Sequence, residues 1–224
     1  MADLIATSNQ RDLTLVKPKT GFIYLLVSWL IVFPVFRIFF RGRIHGQSNV
    51  PLKGPLVVVA NHGSHLDPPI LGHALGRPVA FMAKEELFRI PFLSWIIRSC
   101  GAYPVRRGSS DREAFRIANN KLLSGWATGV FLDGTRQADG RINQPMAGAA
   151  LLAARSGSYL LPVAIINSHR VLKKKGFFPR FLPIHLRVGT LIPPPNSRKK
   201  VDLRETTDKL QFAINSMIDE GLLE

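Results

Sequence analysis

The sequence has a single cysteine, Cys100, among 224 residues. No intrachain disulfide can form, so the chain is not a disulfide-stapled secreted scaffold, and a reducing cytoplasmic compartment suits it. Acidic side chains are also scarce: 15 Asp and Glu stand against 30 Lys and Arg, a formal charge of +15. Such an excess predicts a polyanionic partner, whether nucleic acid, an anionic membrane surface or a phosphorylated substrate. Internal repeats, low-complexity tracts and clear linkers are absent, and no cluster of Cys and His suggests a metal site. An apolar share of 46% excludes a disordered chain, and a charged share of 20% excludes a polytopic membrane protein. The length fits one domain with a substantial core and a short appendage.

The charge that is present is unevenly placed. From Leu13 to Leu66 there is no acidic residue but six Lys or Arg; from Gly140 to Val201 there is none against eleven, densest at Arg170, Lys173, Lys174, Lys175 and Arg180. Ordinary surfaces mix signs, so two long acid-free stretches point to anionic surroundings. A nucleic-acid partner fits poorly. The aromatics gather in the apolar N-terminal stretch and are not interleaved with basic residues as stacking platforms would be.

That stretch holds seventeen uncharged residues between Lys19 and Arg37. As a helix it would span roughly 25 Å, short of a bilayer's ~30 Å core. Pro34 is expected to kink it, and basic residues flank both ends, which argues against a simple crossing. Three readings stay open: a marginal transmembrane helix, a buried core helix, or a kinked helix lying in one leaflet, the last favoured by Tyr24, Trp29 and the basic flanks.

From Gln47 onward short apolar runs alternate with helical periodicity. Strands are expected over 55–60, 79–83, 102–105, 128–132, 160–166 and 184–191. Helices are expected over 68–75, 91–100, after a Ser110–Glu113 capping box, over 146–155, and at the end, where Leu210, Ile214, Met217 and Ile218 form a stripe. The pattern predicts an α/β fold, a central mixed sheet flanked by helices, with chemistry at strand ends. The organisational boundary falls near 45, dividing a membrane-associating segment, 1–45, from the body, 46–224.

Three strand ends carry chemical side chains. Asn61-His62-Gly63-Ser64-His65-Leu66-Asp67 follows the first strand, with Asp67 expected to cap a Pro-initiated helix. An Asp accepting from one ring nitrogen of a His fixes the tautomer and leaves the other nitrogen as a base, and both His62 and His65 are candidates. Phe131-Leu132-Asp133-Gly134-Thr135-Arg136 is again a strand running into a turn, where Arg136 could grip a phosphate or pair with Asp133. Gly101 to Gly108 ends a third strand in Arg106 and Arg107.

Together these stretches resemble the glycerolipid acyltransferases. Asn61-His62 with Asp67 is similar to the family's His-four-residues-Asp block. Gly101 with Arg107 resembles the second block, and Phe131–Arg136 the third, usually Phe-Pro-Glu-Gly-Thr-Arg. Leu161-Pro162-Val163 resembles the fourth. Leu132 and Asp133 depart from the usual Pro and Glu, which bears on acceptor preference. The resemblance implies a membrane-associated enzyme, facing the cytoplasm as a monotopic protein or a single marginal span, that docks through its N-terminal helical segment on an anionic phospholipid membrane. It would move an acyl group from an acyl-carrier-protein or coenzyme A thioester to a lysolipid, lysophosphatidate first and lyso-ornithine lipid or a lysophospholipid as alternatives. His62 would be the base and Asp67 its orienting carboxylate. Arg107, Asp133, Gly134, Thr135, Arg136 and Lys84 would form the acceptor site, with no metal and no cofactor. A non-catalytic membrane-binding protein is the rival reading.

Overall fold

The computed structural model describes residues 20–105, 112–171 and 180–221. Arg106, Arg107, Ser110 and Asp111 of the capping box, and Lys173–Lys175 lie outside them.

Seven strands form one sheet: β1 (Arg43–His45), β2 (Leu56–Ala60), β3 (Val79–Lys84), β4 (Tyr103–Val105), β5 (Ala127–Phe131), β6 (Tyr159–Ile166) and β7 (His185–Val188). Their order across the sheet is β1-β7-β6-β2-β5-β3-β4. Every pairing is parallel except β6–β7, so the sheet is mixed, as the alternating pattern predicts. The helices are α1 (Phe22–Phe39), α2 (Asp67–Ala74), α3 (Pro91–Ser99), α4 (Arg112–Leu123), α5 (Gly148–Ser156), α6 (Ser168–Val171) and α7 (Lys200–Gly221). One strand escapes the sequence reading: β1 has three residues, too few for a period-two pattern to register.

The centre of the sheet is buried on both faces, which is why β2 reads as an unbroken apolar run, all five residues enclosed. Its alternate side chains enter different cores. Val57 and Val59 join Ala118, Leu122, Leu152, Leu210 and Ile214 from α4, α5 and α7. Leu56, Val58 and Ala60 join Ile70, Leu71 and Ala74 of α2 with Phe36 and Phe40 of α1 and its end. The Arg77 guanidinium, buried and lowered to about 10 by desolvation, donates to the carbonyls of Pro51, Gly54 and Gly125 before β2 and β5.

Helix α1 is not a core helix. Its inward side chains are Tyr24, Ser28, Val32 and Phe36, continued by Phe40. That spacing of four exceeds the 3.6 residues of an α turn, and the helix widens to π hydrogen bonding over Val27–Val32 and Val35–Phe39, which keeps the stripe in line. Pro34 sits between the two widened turns with helical backbone angles. The inward stripe grips α2: the Tyr24 hydroxyl donates to the Gly72 carbonyl at 2.7 Å, and Ser28 Oγ meets His73 Nδ1 at 2.8 Å. Phe22, Leu25, Trp29, Leu30, Ile31, Ile38 and Phe39 all face outward.

Candidate active site

The parallel strands deliver their C-terminal ends to one edge, and β2 lies between β5 and β6 there. This is the crevice where an α/β sheet presents chemistry. Asn61 and His62 leave β2. His62 Nδ1 lies 2.8 Å from Asp67 Oδ2, and the same oxygen accepts the backbone N–H groups of Gly63 and Ser64, each at 2.8 Å. Asp67 is fully buried at the first residue of α2, and its side chain does not cap that helix as its position suggests. It turns back to close the 62–67 turn instead. With Nδ1–H donating to a carboxylate, the lone pair of the largely buried ring is left on Nε2.

Phe131, the last residue of β5, stacks on the His62 ring at 3.9 Å between centroids and 12° between planes. It packs on one face of the imidazole, leaving the in-plane nitrogen positions clear, and itself stacks with Phe81. The sequence reading missed this support, although Phe131 opens the third block. It also missed Asn61, a buried side chain that donates to the carbonyls of Gly140 (2.6 Å) and Ile165 (2.8 Å) and accepts the Ile165 N–H (2.7 Å). The Gln137 N–H to the His62 carbonyl completes the join between the β2 and β5 ends.

The third block divides into support and exposure. Asp133 is buried, each of its oxygens accepting a backbone N–H, from Asn143 and Gln144. It therefore shapes the turn and does not pair with Arg136. Gly134 has φ +64°, and a Cβ there would press on Met146 Sδ at 3.0 Å, so the turn favours glycine. Thr135 and Arg136 stand exposed beyond it, and Lys84 stands exposed at the end of β3. Neither Arg136 nor Lys84 has an acidic partner among the described residues. The field is convergent: burial lowers the pKa of His65, and Arg136, His62 and Lys84 each lower it further. Lys84 and Arg136 thus bring positive charge to the neighbourhood of His65, partly offset by Asp67, and His65 is neutral at neutral pH.

Cys100 is remote from this neighbourhood. Its thiol is raised by burial, beside Tyr24, whose ring meets Trp126 at the opposite end of β5 from Phe131. A protonated thiol there is a poor nucleophile. Two hollows open elsewhere in the fold, neither of them lined by His62 or Asp67. A cleft of 290 Å³ at the end of β6 is lined by Asp139, Arg141, Asn167, His169 and Arg170. A smaller apolar groove of 110 Å³ runs between Met82, Phe115, Ala118, Val130 and Leu152.

Residues 41–166 match the model of the Acyltransferase family. The chain is 28% identical over 151 residues to the 1-acyl-sn-glycerol-3-phosphate acyltransferase of Borreliella burgdorferi, covering 66% of this chain and 60% of that one. It is 32% identical over 131 residues to the lyso-ornithine lipid O-acyltransferase of Pseudomonas aeruginosa, covering 56% and 47%. The chain therefore spans about half to three fifths of the length of these relatives. The crystal structure of the 1-acyl-sn-glycerophosphate (LPA) acyltransferase PlsC of Thermotoga maritima superposes with a TM-score of 0.68 at 25% identity, over 90% of this chain and 88% of that one.

Proposed function

The chain belongs to the Acyltransferase family, and from that premise we propose that it transfers a fatty acyl group from a thioester of acyl-carrier protein or coenzyme A to the sn-2 hydroxyl of 1-acylglycerol-3-phosphate. The observation that carries this reading is the 2.8 Å contact of His62 Nδ1 with a buried carboxylate, near the positive charge of Lys84 and Arg136. His62 Nε2 takes the proton of the acceptor hydroxyl, and the oxygen attacks the thioester carbonyl. The tetrahedral adduct collapses, the C–S bond breaks, and the imidazolium returns its proton to the departing thiolate. Asp67 holds the ring and offsets its transient charge. No covalent acyl-enzyme is needed.

Arg136 and Lys84, together with Arg107, are assigned to the acceptor phosphate, which carries about −1.5 to −2 charges as a monoester. Asp133, Gly134 and Thr135 give that turn its shape. The apolar groove beside Val130 suits a run of methylenes. The outward row of α1, an 18-residue helix of mean hydropathy 2.2, supports docking on a phospholipid membrane; we assign the protein to the cytoplasmic face, as a monotopic protein or a single marginal span. Both donor carriers are anionic, so the basic stretch from Arg170 to Arg180 is assigned to carrier or headgroup.

A second acceptor, a lyso-ornithine lipid, is raised by the Pseudomonas relative. Lys84 and Arg136 favour the phosphomonoester, because an ornithine headgroup brings an ammonium of its own toward them. The test is to incubate radiolabelled acyl thioester with lysophosphatidate and lyso-ornithine lipid, using wild-type protein and His62→Ala. Wild-type product on lysophosphatidate should exceed that of His62→Ala by about 10²–10⁴-fold. Equal product from both proteins would sink the enzymatic reading, and product on lyso-ornithine lipid alone would transfer it to that acceptor.

A further inference from the structure

Helix α3 turns two large aromatic side chains to the surface, while Leu93, Ile96 and Ile97 are only partly buried. Its outward row is Phe92 (73% exposed), Trp95 (52%) and Arg98, spaced i, i+3, i+6, while the side chain it buries is a serine, Ser94. The serine hydroxyl accepts from Arg98 Nε at 3.1 Å, and the Arg98 guanidinium lies over the Phe88 ring at 4.8 Å. Phe92 and Trp95 stack against each other, not against a core. The turn before α3, Glu85–Arg89, buries no side chain at all and adds Leu87 to the exposed row, with Ile90 following it. Single exposed apolar residues are ordinary, but a contiguous aromatic patch is not.

The patch is continuous with α1, because the first turn of that helix, Phe22–Leu26, packs against α3. Phe22 and Leu25 are exposed there. We propose that Leu87, Ile90, Phe92 and Trp95 form a second insertion element that enters the same lipid leaflet as α1. The proposal rests on the membrane-docking reading of α1. The occupant is a bilayer surface because every large side chain in the patch is apolar, Arg89 and Arg98 stand at its margin to meet headgroups, and the chain bears +15 overall. Glu85 and Glu86 open the turn beside Lys84, at the β3 end of the segment. Two contacts on different elements fix the roll of the protein about the α1 axis. One contact would leave that rotation free.

The test uses the full chain with Cys100→Ser and Phe92→Cys, the new thiol carrying an environment-sensitive fluorophore, and vesicles of phosphatidylcholine and phosphatidylglycerol. On vesicle binding the emission should shift to the blue, become quenched by nitroxide-labelled acyl chains, and lose its sensitivity to aqueous iodide. Separately, Phe92→Ser/Trp95→Ser should weaken vesicle partitioning about tenfold or more with an unchanged melting temperature, since neither ring supports the core. Protein that pellets with vesicles while iodide still reaches the label overturns the second element and leaves α1 docking intact. Failure to pellet at all overturns both. Protection of the label without vesicles, rising with protein concentration, overturns the proposal in favour of a second copy of the chain.

Discussion

At the residue scale, one oxygen of Asp67 accepts three donors, the His62 ring and two backbone N–H groups. Orientation and charge can be separated there. Asn at 67 can keep its amide oxygen among the three donors yet brings no negative charge. Asp67→Asn should therefore fold nearly as well as wild type but lose about 10²–10⁴-fold in turnover, as a ring without its carboxylate does. Asp67→Ala should lose similar activity and a further ~1–3 kcal/mol of stability, because Gly63 and Ser64 N–H are left buried without an acceptor. Paired urea titrations and turnover measurements on the two variants check both statements. Equal stability of the two would show that the turn does not depend on the carboxylate position. Spacing leaves His62 and His65 both open as partners of Asp67, since a tight turn after a strand end can bring either ring near it; the family resemblance singles out His62, and that is the ring in contact. The stacked Phe131 was not legible, because its approach depends on how β5 registers beside β2 in space.

At the scale of elements, Asn61 ties three segments together: the end of β2, the C-terminal end of β6 at Ile165 and the loop at Gly140. Asn61→Ala strands a buried N–H and two carbonyls, so it should cost about 2–4 kcal/mol. Turnover should fall as well, because the 137–140 loop also holds the His62 carbonyl. Chemical denaturation and steady-state kinetics on the same preparation read the two effects, and full activity in a destabilised protein would refute the positioning role. The element pattern itself was largely legible: the long strands bury both faces and read as apolar runs, and Gly157, at φ +64°, stops α5 where expected. Helix α1 shows where such reading ends. Its composition is apolar on every side, so periodicity alone does not reveal which row faces the body. That is decided by His73 and Gly72 on α2, forty-five and forty-eight positions away.

For the molecule as a whole, three histidines, His65, His73 and His169, are pushed down from 6.5, in each case chiefly by burial. A base with a depressed folded value binds protons more readily when unfolded, so its stabilising contribution is present above pH 6.5 and is lost as the pH falls through the folded values. The melting temperature should therefore drop on acidification from pH 7.5 toward 5, and His73→Gln should flatten that slope while leaving turnover at pH 7.5 near wild type. A slope unchanged in the variant would assign the acid sensitivity to the other histidines. The sheet carries a consequence for anyone preparing this protein. The N-terminal apolar stretch runs straight on into β1, which covers the outer side of β7 through Arg43, Ile44 and His45. Phe36 fills the core beneath so closely that a Cβ on Gly42 would fall 2.3 Å from its ring. Cutting the chain at 45 to improve solubility would uncover the backbone edge of β7 and empty an aromatic socket, and would yield protein that self-associates strand to strand. Detergent around an intact N-terminal segment is the sounder route to soluble material.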